Sequence, residues 1–181
     1  IALGATGLVG LVAGGWIADG LHTRFRRGRL IYGALAMLLS APLLWIGLTR
    51  PAGDITGVTV FVGLGWMLYF QYYVSVYASI QDVVRPQLRA TAMSVYFFFQ
   101  YILGAAFGTT ITGYFSDRHA AGLLAAAGGT ELTDAFRAIG LQWSLANLVP
   151  LMMALTGLAL CFAAWRSLRD GERMRAELAA G

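Results

Sequence analysis

Long runs of apolar residues follow one another along this chain, separated by short clusters of arginine, glycine and proline, and that rhythm predicts membrane-crossing helices. Five runs stand out, at residues 1–19, 30–49, 56–79, 90–115 and about 143–165. A helix needs roughly 20 apolar residues to cross the hydrocarbon core of a bilayer. Short linkers between the first four runs make successive helices antiparallel neighbours. Residues 118–142 read as an outside connection, in which Gly128, Gly129 and Thr130 form a turn. Thr133 is placed there to cap a short amphipathic helix that buries Phe136 and Ile139.

Polar residues are spread unevenly over the five runs. The second has almost none in its middle except Ser40, and Pro42 is tolerated there as a membrane-helix kink, so it reads as lipid-facing support. The third carries Tyr69, Gln71, Tyr72, Tyr73, Ser75, Tyr77 and Ser79. Gln71, Ser75 and Ser79 recur every four residues and share a helix face, with tyrosines beside them. The fourth repeats Gln100, Gly104, Gly108 and Thr112 at the same spacing and adds Tyr96 and Tyr101. An unpaired polar group inside a membrane is costly. These groups therefore need protein partners or a watery cavity, and Tyr69, Gln71, Tyr72, Ser75, Tyr96, Gln100 and Tyr101 are the candidate cavity residues. In the first run Gly4, Gly7, Gly10 and Gly14 make a stripe without side chains, where another helix can approach closely.

Charge fixes an expected orientation. If the loop at residues 20–29 is cytoplasmic, so are the loop at 80–89 and the tail. Those regions hold Arg24, Arg26, Arg27, Arg29, Arg85, Arg89, Arg166, Arg169, Arg173 and Arg175, against only Arg50, Arg118 and Arg137 on the other side. Short inner loops carry the excess of arginine and lysine, which supports this arrangement.

Composition agrees: 58% of residues are hydrophobic, 12% are charged and the mean hydropathy is +0.66. Soluble domains carry about 25% charged residues. The net charge of +4 resides in arginines beside apolar runs, not in a basic stripe, so nucleic acid is not an expected partner. Cys161 lies alone in an apolar run, and His22 and His119 sit in loops without ligand-spaced partners, so neither disulfide nor metal site is expected. No catalytic set, phosphate-cradling loop or cofactor motif is evident, and no enzyme activity or cofactor is expected.

The first run ends in Gly14-Gly15-Trp16-Ile17-Ala18-Asp19-Gly20, followed by a loop with Arg24, Arg26, Arg27 and Arg29. Glycine, three residues, aspartate and a short arginine loop resemble the signature loop of the major facilitator superfamily of secondary transporters. The variant most resembles the second copy of that loop in bacterial spinster-like members, and it departs from the usual pattern at Gly20, where arginine or lysine is common. Residues 89–92, Arg-Ala-Thr-Ala, and residues 113–117, Gly-Tyr-Phe-Ser-Asp, resemble the opening and closing of the family's eleventh helix.

The resemblance implies an all-α, polytopic membrane bundle whose five helices correspond to helices eight to twelve of a twelve-helix carrier. Residues 1–165 would be the transmembrane bundle and 166–181 a cytoplasmic tail, with the N-terminal half of the protein missing from this sequence. It implies secondary active or facilitative transport of a small organic solute across the inner membrane by alternating access; a cavity lined by tyrosine, glutamine and small residues suits an amphipathic or weakly polar solute better than a multiply charged one. Partners would be that solute, the lipid bilayer and the missing half. Gly15, Asp19, Arg24, Arg26, Arg27, Arg29 and Arg89 would form a cytoplasmic gate, with Asp19 facing the other half and thus under-partnered in this chain alone. The alternatives are an exporter of another major facilitator subfamily and a non-transporting membrane assembly subunit.

Overall fold

In the computed structural model the chain forms helices α1 (Ala2–Arg24), α2 (Gly28–Leu48), α3 (Ile55–Val83), α4 (Arg89–Phe99), α5 (Phe107–Ala126) and α6 (Asp134–Ala180). A 3-10 turn, Pro86–Leu88, leads into α4, and a π-helical stretch, Gln100–Ala106, joins α4 to α5 in one rod. The structure describes residues 2–25, 28–51, 53–129 and 131–180, with side chains described between Gly4 and Arg166. Among the described residues there are no strands, and five stretches are long and apolar enough to cross a membrane: Gly4–Arg24, Gly28–Leu48, Ile55–Val83, Pro86–Ala126 and Asp134–Arg166. The expected all-α polytopic bundle is what forms.

Two boundaries differ from the sequence expectation. The fourth span does not stop at residue 115 but runs to Ala126, where Gly128 at φ 66° ends it. Residues 118–126 are rich in alanine and leucine, and helix propensity carries the rod on past the charges at Asp117 and Arg118. The short helix expected after Thr133 is likewise the first part of α6, because nothing between Asp134 and Trp143 breaks it. Phe136 is half-buried there, but Ile139 is exposed, contrary to expectation. His22 and His119 stand on α1 and α5, not in loops, and the His119 ring stacks on Trp143 at 4.3 Å.

α2 is not lipid-facing support but the most enclosed helix of the bundle, packed on α1, α3 and α6. Its inner face of Gly33, Ala34, Met37, Ser40, Ala41 and Leu44 is buried, while Leu35, Leu39 and Trp45 point outward. Met37, Ala41, Leu44 and Met153 form the hydrophobic core, with Tyr69 and Tyr72 of α3 packed against it. Ser40 fixes this junction: its Oγ donates to the Gly65 carbonyl on α3 at 2.8 Å and lies 3.4 Å from Met153 Sδ on α6. Pro42 and Pro150 are carried within α2 and α6 without ending either helix.

Glycines set how near the helices come. On α1, a methyl at Gly10 would collide with the Met67 carbonyl, and one at Gly14 would lie 2.7 Å from Gln71 Cγ, so α1 and α3 touch nearly backbone to backbone. On α6, a methyl at Gly157 would lie 2.7 Å from Leu38 Cγ of α2. Such close contacts are what hold helices together in lipid, where apolar burial gives no driving force. α5 crosses α6 at Gly140, and Ser144 Oγ donates to the Thr112 carbonyl at 2.9 Å. Before α3, Asp54 acts as N-cap and accepts from the Gly57 N–H at 2.8 Å.

Candidate functional site

The polar residues of the third and fourth spans do not all meet on one side. α3 turns two polar faces in different directions. Gln71 and Ser75 are buried, 4% and 0% exposed, against α1 and α2. Gln71 Oε1 accepts from the Tyr32 hydroxyl of α2 and its stem lies on Gly14 of α1, while Ser75 Oγ donates back to the Gln71 carbonyl at 3.1 Å. Ser79 Oγ continues that ladder to the Ser75 carbonyl at 2.7 Å.

The other face looks toward the rod and α6. Tyr69 and Tyr73 hydroxyls lie 2.5 Å apart, and Gln100 Nε2 donates to Tyr73 Oη at 3.3 Å. One turn along, the Tyr72 and Tyr96 hydroxyls pair at 2.8 Å, and Tyr77 packs edge-on against the Tyr96 ring at 5.7 Å. α3 and α4 are thus joined by hydroxyl and amide bonds in a region otherwise filled by aromatic rings.

Between α3, the rod and α6 lies a groove of about 620 Å³. Tyr69, Tyr73, Gln100 and Tyr101 form its polar end; Leu103, Gly104, Gly108, Ile111, Met152 and Thr156 lie along the rest. Of the candidate cavity residues, the structure brings Tyr69, Gln100 and Tyr101 into this groove. Tyr72 and Tyr96 lie outside its lining, bonded to each other, and Gln71 and Ser75 stand on the far side of α3. Tyr73, a member of the tyrosine flank of the third span but not among the candidate cavity residues, also lines the groove, one helical turn after Tyr69 on the same face.

The π-helical turn shapes this groove. Tyr101 and Leu103 are exposed within it, and Gln100 opens it. Gln100 Oε1 is buried from solvent yet has no hydrogen-bond partner. Buried carbonyl oxygens are rarely left so.

At the ends of α1, α2 and α3, a second polar cluster is built around Arg29. Its Nε and Nη2 donate to Asp19 Oδ1 at 3.1 and 2.8 Å, and its Nη1 donates to Asp82 Oδ2 at 2.6 Å. His22 Nε2 lies 4.0 Å from the same Asp82 oxygen. Asp19 is therefore not under-partnered: the turn after α1 is short enough to return Arg29 to it. Asp82 and His22 are members that the motif reading did not include. Gly15 lies on α1 beside Val74, Arg24 and Arg89 are exposed, and Arg26 and Arg27 lie outside the described residues. No group of His, Cys, Asp and Glu fit to hold a metal ion occurs among the described residues.

No protein-family model matches the chain. A protein of Mycolicibacterium smegmatis named an MFS-type efflux pump is 28% identical over 170 residues, which is 94% of this chain and 36% of that protein. The crystal structure of a bacterial homologue of the human lysosomal transporter Spinster, in an inward-facing and occupied conformation, matches with a TM-score of 0.74 at 20% identity. That match covers 93% of this chain and 40% of the other. The chain spans well under half the length of either relative. Its fold matches part of that transporter homologue's, as the signature loop implied, and the other relative is named as an efflux pump of the major facilitator type.

Proposed function

We propose that this chain supplies part of a secondary carrier that moves a small amphipathic organic solute across a bacterial inner membrane by alternating access. The observation that carries this reading is the groove whose polar end holds a buried, unpartnered carboxamide oxygen at Gln100 among tyrosines, on a fold shared with transporters. Polar groups at membrane depth mark substrate paths in carriers of this kind. A groove of tyrosine rings, leucine, isoleucine, methionine and threonine with a free carboxamide acceptor suits an apolar body bearing an N–H or O–H group.

Tyr69, Gln100 and Tyr101, with Tyr73, would touch the solute. Tyr72, Tyr96, Gln71 and Ser75 would stand behind them and hold α3 in register with α4, α1 and α2. Gly15, Asp19, Arg24, Arg26, Arg27, Arg29 and Arg89 would act at the cytoplasmic face, where the arginine distribution puts the loops at 20–29 and 80–89 and the C-terminus. Rocking of two halves would expose the groove to each side in turn, the second half coming from polypeptide beyond this sequence.

The test uses cells expressing the full-length protein and N-phenyl-1-naphthylamine, a neutral amphipathic dye with one N–H donor. Expressing cells should accumulate less dye than cells without the protein. Gln100→Ala should lower the export rate by about five- to tenfold at equal membrane abundance, the effect of one lost hydrogen bond in a dry site. Export by Gln100→Ala at the full rate, or dye levels equal with and without the protein, would overturn the reading.

A further inference from the structure

α5 and α6 enclose a second hollow, which shares no lining residue with the groove. It has a volume of about 360 Å³ and is lined by Phe115, Arg118, His119, Gly122 and Leu123 of α5 and by Trp143 of α6. The five α5 positions recur at spacings of three and four and so lie on one side of that helix. Gly122 keeps the hollow open, since nothing lies within 4 Å of the place a methyl would take there.

The depth of the hollow follows from helix length. Arg89 and Arg166 stand at the ends of the fourth and fifth spans that lie on the same side of the membrane. Counting about 20 residues from each, the length that crosses the hydrocarbon core, reaches about residue 109 on the rod and about residue 146 on α6. The headgroup layer beyond takes about five residues more. Tyr114, Phe115 and Trp143 stand at that depth, where aromatic side chains gather. Arg118 begins one turn farther out, but its Nη1 donates to Tyr114 Oη at 3.2 Å, which turns the guanidinium back toward the bilayer.

The hollow carries positive charge without a counter-charge. No carboxylate lines it. Arg50, on the same side of the membrane, is paired with Asp54 at 3.4 Å, whereas Arg118 has no carboxylate partner among the described residues. One of the five N–H donors of a guanidinium goes to Tyr114, and the others meet no acceptor among the described residues. Beside it the His119 ring lies flat on Trp143, 4.3 Å between centroids and 6° between planes. A ring held by its face presents its nitrogens at its edge. Donors of this kind, guanidinium above all, match the oxygens of a phosphate, while Phe115, Leu123 and Trp143 offer apolar walls.

We propose that this hollow binds the phosphate of an anionic phospholipid such as phosphatidylglycerol. Arg118 holds the phosphate oxygens with His119 beside it, and Trp143, Phe115 and Leu123 lie against the glycerol and the first acyl carbons. A soluble phosphate would use the donors but not the walls. Phosphatidylcholine offers the same phosphate but brings a cationic ammonium beside Arg118. The bound lipid joins α5 to α6 at the headgroup layer, and it does so whether or not the groove carries a solute.

The test is native mass spectrometry of the full-length protein in dodecyl maltoside with phosphatidylglycerol or phosphatidylcholine added. Wild type should retain one more phosphatidylglycerol than Arg118→Gln, with the apparent affinity of that lipid about five- to tenfold weaker in the variant, the effect of one charge-assisted contact. Arg137→Gln, which alters an exposed arginine outside the hollow, should retain as many as wild type. Phosphatidylcholine should not distinguish wild type from Arg118→Gln. Equal phosphatidylglycerol counts in the two proteins, or the same difference with phosphatidylcholine, would overturn the proposal. Displacement of that lipid from wild type by inorganic phosphate would assign the hollow to soluble anions and overturn it as well.

Discussion

Arg29 Nη1 lies 2.6 Å from Asp82 Oδ2, joining the first turn of α2 to the last turn of α3, and the same guanidinium holds Asp19 at the end of α1. One cation thereby ties three helix ends together. Its side chain is only 20% exposed, whereas Asp19 is 66% and Asp82 43% exposed, so water screens the carboxylates more than the cation. Exposed ion pairs contribute about 0.2–1 kcal/mol each.

Arg29→Gln is therefore expected to destabilise the full-length protein by about 1 kcal/mol, seen as a fall of about 2–4 °C in thermal midpoint. Most of that difference should vanish in 1 M salt, where the screening length falls to about 3 Å. A salt-independent loss would mean that the arginine acts through packing of its stem and not through charge.

The glycines of α1 allow a comparison within one helix. A methyl at Gly10 runs into the backbone of α3, which cannot yield as a flexible side chain can, whereas nothing lies within 4 Å of a methyl at Gly4. Gly10→Ala should cost about 1–3 kcal/mol through overpacking. Gly4→Ala should be neutral or slightly stabilising, since alanine is the better helix former. Equal thermal midpoints for the two variants would remove the α1–α3 seam as a determinant of stability.

The five helices were legible because composition alone dictates them: no soluble core accounts for runs of this length. Their faces were less so. In lipid a helix is apolar on all sides, so periodicity does not separate the buried Ala34 and Met37 of α2 from the outward Leu35 and Leu39. The spacing of Gln71 and Ser75 correctly placed them on one face. What that face meets depends on Tyr32 and Gly14, on other helices, and no local pattern reveals it. Asp19 found its partner ten positions away in the first turn of the next helix, where family resemblance pointed to another part of the protein. The π-helical stretch at Gln100–Ala106 had no sequence signal at all, since its residues are ordinary helix formers with one glycine.

Gln71 and Gln100 offer a separation of stability from transport. Gln71 is buried and bonded to Tyr32, so Gln71→Leu should lower the thermal midpoint by an amount corresponding to about 0.6–1.7 kcal/mol, the range for hydrogen bonds between membrane helices. Tyr32→Phe should then add nothing in the Gln71→Leu background, since both changes remove one bond. Gln100→Leu should shift the midpoint far less while reducing dye export. Additive losses for Tyr32→Phe and Gln71→Leu would show that the bond is not formed in the membrane.

The π-helical turn gives the last prediction. Such a turn accommodates one residue more than a regular helix, and π-bulges recur at functional sites. Just after it, Thr109 Oγ1 donates to Ala105 O at 3.0 Å, and Thr110 Oγ1 to Ala106 O at 3.1 Å, the usual back-bonds of threonine in a helix. Deleting Ala106 would let α4 and α5 join as a continuous α-helix. The packing of α5 on α6 through Gly140 and Ser144 lies well beyond the deletion and should persist. The variant should therefore fold with an unchanged or higher thermal midpoint, yet lose dye export, because the narrower turn withdraws Gln100 and Tyr101 from the groove. Full export by this deletion variant would show that the wide turn is not needed to present those side chains.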